Sequence, residues 1–348
     1  MMELDRINQG LLNIIQRDFP LKERPFKKVG EKLGISEREV IERLEELKNK
    51  KYIRFIGAIL NTVSLGFNNL LVAFKVDSKG IDKAAEVVNS HPGVSHNYQR
   101  NDKYNLWFTI AVPIDIDIKK TVEILSNLSK VKRYLLLPAL KIYKIGVILD
   151  ALEENKGQIL KEEVVPAINK NISAEISPME KKVIEQIQNS IPLVSEPFKY
   201  FSSKLNLSPT EFLEIINNLI RKGVIRRFGA IISHRKLGYK YNVMAVWEVP
   251  EQKVDECGRK ISSFKAVTHC YQRPVYPDWP YSLYSMIHCR SEDNCRLIIK
   301  EILKETRIKN YKLLLSKKEY KKKRLRYFSD EFYRWEEEYQ KICKPWKF

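Results

Sequence analysis

Two short stretches of this chain carry residue types that hold carboxylates and move protons: His96-Asn97-Tyr98-Gln99-Arg100 and His269-Cys270-Tyr271-Gln272-Arg273. Along a strand, side chains alternate between faces, so His96, Tyr98 and Arg100 share one face, as do His269, Tyr271 and Arg273. Histidine, with a reference pKa of about 6.5, exchanges protons near neutrality. Arginine pairs with carboxylates through two parallel hydrogen bonds. His269 and His96 are therefore the candidates for proton transfer. Tyr271 and Tyr98 would orient them or the reacting group, and Arg273 and Arg100, with Gln272 alongside, would anchor an anion. One such motif is also what a half-buried strand with a satisfied histidine and a surface arginine looks like; its repetition weighs against that plainer account. His91, just before Pro92, reads as a helix-end residue, and His288 as a satisfied strand histidine.

The copies diverge directly after the motif. The first continues through Asn101-Asp102-Lys103, a plain hairpin turn. The second continues through Pro274-Val275-Tyr276-Pro277-Asp278-Trp279-Pro280 into Tyr281 and Tyr284. Three prolines stiffen this loop. Tyr276, Trp279, Tyr281 and Tyr284 offer flat apolar faces that suit a large planar anion; otherwise they cover the sheet. Further cations and a histidine, Arg226, Arg227, His234 and Arg235, stand upstream in the same copy.

The elements that position these residues follow from an internal duplication. Phe19-Pro20-Leu21 recurs as Ile191-Pro192-Leu193, Ile53-Arg54-Phe55 opens a block that recurs from Ile225, and Leu65-Gly66-Phe67 recurs as Leu237-Gly238-Tyr239, all at an offset of 172. In each copy, three short helical patterns precede a strand (53–60 and 225–233), which predicts a winged helix-turn-helix. Ser36 with Glu39, and Ser208 with Glu211, form capping boxes at the third helix. The remainder reads strand, helix, two strands, helix, strand, a βαββαβ ferredoxin-like unit. The fold class is thus α+β, a tandem repeat. Its expected divisions are winged-helix domains over 1–60 and 176–232, ferredoxin-like domains over 61–150 and 233–320, a charged linker over 151–175 and a basic, aromatic tail over 321–348.

Composition narrows the function classes. A net charge of +19 favours an anionic partner, although Lys317 to Arg326, with seven Lys/Arg against one Glu, reads as a solvated tail. The five cysteines are odd in number and lack a CxxC, so neither a zinc site nor a disulfide framework is expected, and a reducing cytoplasm is. No apolar run is long enough for a membrane span, and the acidic N-terminus lacks a signal-peptide pattern. A DNA-reading helix needs Arg, Lys, Asn or Gln on its exposed face. Here the third helix carries Glu37, Glu39, Glu42, Glu45 and Glu46 against Arg38 and Arg43, and its second copy carries Glu211 and Glu214 before Arg221. DNA is not the expected partner.

A helix-turn-helix followed by βαββαβ resembles the Lrp/AsnC family, whose second domain binds amino acids and dimerises. More specifically, IRRFGAIISHRKLGY and THCYQRPVYPDWPYSLYSMIH are similar to the siroheme decarboxylases. These usually consist of two homologous subunits, and each half of this chain is similar to one of them. The resemblance implies removal of the C12 and C18 acetate carboxylates of siroheme, giving 12,18-didecarboxysiroheme in the alternative haem or haem d1 pathway. Siroheme would be bound as substrate, by an intramolecular pseudo-dimer of the halves. No added cofactor and no metal of the protein's own would be required, because the macrocycle serves as electron sink. His269 would act as acid or as axial ligand to the substrate iron. The first half departs from the pattern, with Asn97 for Cys270, a short turn for the aromatic loop, and Asn61 where the second copy runs on to His234 and Arg235. A second reading of the same resemblance is a haem- or metabolite-sensing DNA-binding regulator.

Overall fold

A computed structural model describes residues 4–146 and 174–343. The first copy runs α1 (Arg6–Arg17), α2 (Pro25–Leu33), α3 (Glu37–Asn49), β1 (Ile53–Leu60), β2 (Phe67–Phe74), α4 (Ile81–Ser90), β3 (Val94–Arg100), β4 (Leu106–Pro113), α5 (Ile118–Leu128), β5 (Tyr134–Leu137) and β6 (Lys141–Ile145). The second runs α6 (Pro178–Ile187), α7 (Pro197–Ser202), α8 (Pro209–Arg221), β7 (Ile225–Ile232), β8 (Tyr241–Trp247), α9 (Val254–Ser263), β9 (Val267–Gln272), β10 (Leu283–Cys289), α10 (Glu292–Thr306), β11 (Tyr311–Lys322) and α11 (Glu331–Cys343). Both expected βαββαβ units are present. The expected linker lies almost wholly outside the described residues.

The chain divides into two compact units that do not follow the copies: one holds 4–65 and 174–240, the other 66–146 and 241–343. The boundaries expected at 60 and 232 move to 65 and 240, and like domains of the two copies combine.

Among the described residues of the first unit, neither copy forms a hairpin wing of its own. Instead β1 pairs antiparallel with β7, Gly57 opposite Gly229. Both strands are buried over most of their length, and the pairing covers one edge of each. The pairing draws α1 against β7: a Cβ on Gly229 would stand 2.6 Å from the Ile15 carbonyl oxygen, so only glycine permits that approach. Phe228 sits between Phe19 and Phe198 at 5.5 and 5.7 Å. Ser208 and Glu211 make the full capping box. Ser36 caps Glu39 N–H, but the Glu39 carboxylate turns to Arg43 instead.

The second unit is a nine-stranded antiparallel sheet in the order β5-β2-β4-β3-β11-β8-β10-β9-β6. Each half contributes the ferredoxin-like order, and each donates a strand to the other. The C-terminal part of β11 pairs with β3, while β6 pairs with β9. One face of each half packs on its own helices, with Phe74, Phe108, Val122 and Leu125 in the first core and Trp247, Ile261, Phe264 and Ile287 in the second. The opposite faces of both halves share a third core around Trp107, Leu137, Met244, Trp279 and Leu314. The halves therefore form an intramolecular pseudo-dimer, as expected.

The expected basic tail is instead structural. Through Lys322 it belongs to β11, where Lys318 pairs with Asp82 at 2.8 Å, and Lys321 donates to the Asn89 and His91 carbonyls at 2.7 and 3.1 Å, closing the end of α4. Alternation and cross-strand pairing give these lysines partners that a charge count cannot show. Beyond it, α11 returns to the first half, where Trp335 joins the core and Glu336 accepts from Thr121. Among the described residues no helix is long and apolar enough to cross a membrane.

Candidate active site

Both motifs lie on the strands that receive the partner half's donated strand. Each strand has a break in register at its histidine: between Val94 and His96 in β3, and between Val267 and His269 in β9. A bulge of this kind re-aims a side chain. Here it brings a hydroxyl beside the following imidazole. Ser95 Oγ stands 3.0 Å from His96 Nδ1 and 2.8 Å from Thr109 Oγ1. Thr268 Oγ1 stands 3.0 Å from His269 Nδ1 and 3.1 Å from His288 Nδ1.

Next along each strand the tyrosine stacks on the histidine. Ring centroids are 6.2 Å apart at 26° for His96 and Tyr98, and 6.0 Å apart at 25° for His269 and Tyr271. Cys270 and Asn97 point the other way, into the helix-covered cores. Burial pushes the Cys270 thiol up, and Asn97 donates to Asn89 at 3.0 Å.

The arginines share the histidine face, as alternation requires, but they serve the seam between halves. Arg100 is buried and donates to the Leu314 carbonyl at 2.8 Å and Ser316 Oγ at 3.3 Å, with Tyr98 beneath it at 5.6 Å. Arg273 donates to the Leu137 carbonyl and lies 4.8 Å over Tyr271. Leu314 on β11 and Leu137 at the end of β5 belong to the opposite half in each case. Desolvation lowers both guanidinium pKa values, that of Arg100 to about 10. Both Nε atoms are buried without a hydrogen-bond partner. Gln272, half-buried, accepts from Leu140 N–H at 2.9 Å through its backbone.

The aromatic loop does not present its flat faces to solvent. Tyr276 and Trp279 close the loop through paired backbone hydrogen bonds of 3.0 and 2.9 Å. Trp279 is 0% exposed, donates to Tyr284 Oη at 2.7 Å, and packs on Trp107, Tyr104 and Tyr281. Tyr276 donates to the Leu136 carbonyl at 2.6 Å. The expectation of an aromatic platform for a planar ligand is therefore corrected for Trp279, Tyr281 and Tyr284, all buried in the core the halves share. Apolar rings beside an uncovered inner sheet face gain more from burying that face than from standing in water.

The remaining candidates belong to the first unit. Arg226 is exposed and donates to Asn61 Oδ1 at 2.9 Å, so the residue by which the first copy departs from the pattern holds an arginine of the second. Arg227 donates to the Gln16 carbonyl, and desolvation lowers its pKa. His234 and Arg235 form the turn after β7, with Tyr239 N–H bonded to the His234 carbonyl at 2.9 Å.

Comparison with known proteins places the chain. An AsnC-like ligand binding domain model matches residues 64–144 and 236–321, and a siroheme decarboxylase NirDL-like HTH domain model matches 8–54 and 180–226. A siroheme decarboxylase of Hydrogenobacter thermophilus is 38% identical over 96% of this chain and 97% of its own length. The chain belongs to the siroheme decarboxylase family. The siroheme decarboxylase beta subunit of Methanosarcina barkeri is 41% identical over 40% of this chain and 93% of itself, the relation expected of a one-half relative. The crystal structure of the siroheme decarboxylase NirDL in complex with an iron-uroporphyrin III analogue matches with a TM-score of 0.75 and 33% identity, covering 97% of this chain and all of that one.

Within this family member, two features of the histidine sites were not visible in the motif. The first is the donated strand: β11 sets Glu319 opposite Tyr98 and Lys322 opposite His96, with Tyr98 Oη 3.3 Å from Glu319, whereas β6 sets Ile142 opposite Tyr271 and Ile145 opposite His269. The second is His288. Its register position corresponds to Ala111 in the first half, since Met286 opposes His269 as Thr109 opposes His96. The hint in the sequence was a histidine on the strand after the motif with no counterpart in the other copy.

Proposed function

We propose that this chain is a cofactor-independent carboxy-lyase that converts siroheme to 12,18-didecarboxysiroheme. Carrying the proposal is the pair of bulged histidine–tyrosine sites, in a chain that aligns with siroheme decarboxylases over nearly its whole length. In each round the bond between the acetate methylene and its carboxylate breaks and CO2 departs. The electron pair passes toward the macrocycle, and the methylene carbon takes up one proton to become methyl. Two rounds release two CO2, consume two protons and involve no net oxidation.

The residues supply what that chemistry needs. Thr268 holds His269 at Nδ1, and we assign Nε2 as the nitrogen that delivers the proton. Tyr271 fixes the ring plane by stacking. The isoleucines opposite keep water from the carboxylate, whose desolvation favours loss of CO2. His96 and Tyr98 are the corresponding pair of the first half. Arg226 and Arg235 stay as candidate anchors for the substrate's carboxylates, to be tested singly by siroheme titration. The protein is proposed to work in the cytoplasm.

The regulator reading is opposed by the ion pairing of α3. Arg38 pairs with Glu42 and Arg43 with Glu39 and Asp5, so both of its arginines are already engaged, and its acids outnumber the remaining cation, Lys48. Anaerobic incubation of the purified chain with siroheme alone should give a product lighter by two CO2 in mass spectrometry. A strict requirement for a flavin or an oxidant would overturn the proposal, as would sequence-specific DNA binding at physiological salt with no turnover.

A further inference from the structure

The second-half site contains a three-residue chain that the first half lacks. Thr268 Oγ1 lies 3.0 Å from His269 Nδ1, 3.1 Å from His288 Nδ1 and 3.4 Å from the Met286 carbonyl oxygen. A hydroxyl has one hydrogen to give and two lone pairs to receive. When His269 carries the proton it is to deliver, both of its nitrogens bear hydrogen. Thr268 must then accept from Nδ1 and send its own hydrogen elsewhere, and His288 Nδ1 is nearer than the Met286 carbonyl.

Building on the decarboxylase reading, we infer that His288 is a positioning residue for His269: by accepting the Thr268 hydroxyl hydrogen, it makes Thr268 an acceptor and fixes the proton of His269 on Nδ1 between turnovers. His288 suits this part because it is buried, and its amide donates to the Ala266 carbonyl at 2.9 Å, which fixes the backbone beneath it. Burial pushes its pKa down to about 4, with the Lys322 charge acting in the same direction, so it stays a neutral acceptor. In the first half the hydroxyl of Ser95 has the Thr109 hydroxyl as its second partner at 2.8 Å, and Ala111 holds the register position that His288 holds in the second. Ladder neighbours of the three-residue chain are Met286 on β10, Asn242 on β8 and Ile145 on β6, with Tyr271 next along β9; Lys144 is turned to the Phe264 carbonyl, and Lys322 is the charge that acts on His288.

The test begins on the ligand-free protein. Nitrogen-15 NMR of its five histidines reports which nitrogen of His269 bears the proton. His288→Phe should move His269 from the Nδ1–H form to a mixture, while His96 is unaffected. Single-turnover decarboxylation of siroheme should fall about tenfold, a part of what a positioned acid supplies, with siroheme affinity unchanged. His288→Asn, which can still accept, should restore most of both. Thr268→Val cuts the chain at its middle with little change of shape, and decides the matter if His288→Phe does not fold. Its effect should match that of His288→Phe, and the double variant should lose no more than either. An unchanged His269 tautomer in both variants would overturn the inference. Failure of the parent protein to decarboxylate siroheme would instead count against the functional reading, and the tautomer result would stand apart from it.

Discussion

At the first-half site the donated strand β11 brings Glu319 and Lys322 against Tyr98 and His96; at the second-half site β6 brings Ile142 and Ile145 against Tyr271 and His269. The two motifs are otherwise built alike, down to the bulge, the hydroxyl on Nδ1 and the stacked phenol. What separates them is the strand donated by the other half and, in the second half itself, His288 behind the Thr268 hydroxyl. Across the seam the second motif faces two isoleucines, whereas the first faces an acid and a base. The lesson is that duplicating a motif does not duplicate a site when each copy is completed by a strand from elsewhere.

The strongest way to break this comparison is to remove one histidine at a time. His269→Ala should lower decarboxylation by about 10²–10⁴-fold, the range for loss of a positioned acid, while siroheme still binds. His96→Ala should cost less and accumulate a monodecarboxylated species, seen by mass spectrometry after a single turnover. A dead His96→Ala beside a near-normal His269→Ala would mean that the polar site, not the apolar one, does the principal chemistry.

The loops after the motifs differ as much as their surroundings, and stability measures that difference. Trp279→Ala empties a fully buried position in the shared core and should cost about 3–5 kcal/mol in urea unfolding. Changes within Asn101-Asp102-Lys103 have no buried ring to lose, and substitution of Lys103 should cost about 1 kcal/mol or less, since its ion pair with Asp278 is exposed. Near-equal losses would show that the aromatic loop does not hold the halves together.

The arginines sharpen the picture by being alike. Arg100→Ala and Arg273→Ala each leave a carbonyl of the opposite half without its donor, and each should destabilise by about 1–3 kcal/mol. If either variant keeps its stability and loses siroheme affinity instead, that guanidinium is a direct substrate anchor.

Much of this was legible from residues alone. The duplication, the βαββαβ order and the shared face of His, Tyr and Arg follow from local pattern, because helical and strand periods are set by neighbouring residues. So is the pseudo-dimer, to the extent that two homologous halves must bury matching inner faces. Family membership was legible in the stretches around Arg227 and around His269 and Trp279, whose residue order resembles that of the siroheme decarboxylases.

What the tertiary structure decided concerns partners rather than elements. Alternation puts Arg273 on a face but does not say that Leu137 of the other half will occupy its guanidinium. A run of lysines looks like a tail until β3 is found to need an edge partner, which β11 supplies. The aromatic loop reads as a ligand platform until Trp107 is found beneath Trp279. Nothing local in β1 reveals that it pairs with β7 rather than with a wing of its own. Periodicity is a property of the backbone within one element, so the sequence determines it directly. The partner of a face or an edge is settled by competition among all exposed apolar surface and unpaired backbone in the chain, and that competition is resolved only when the whole molecule folds.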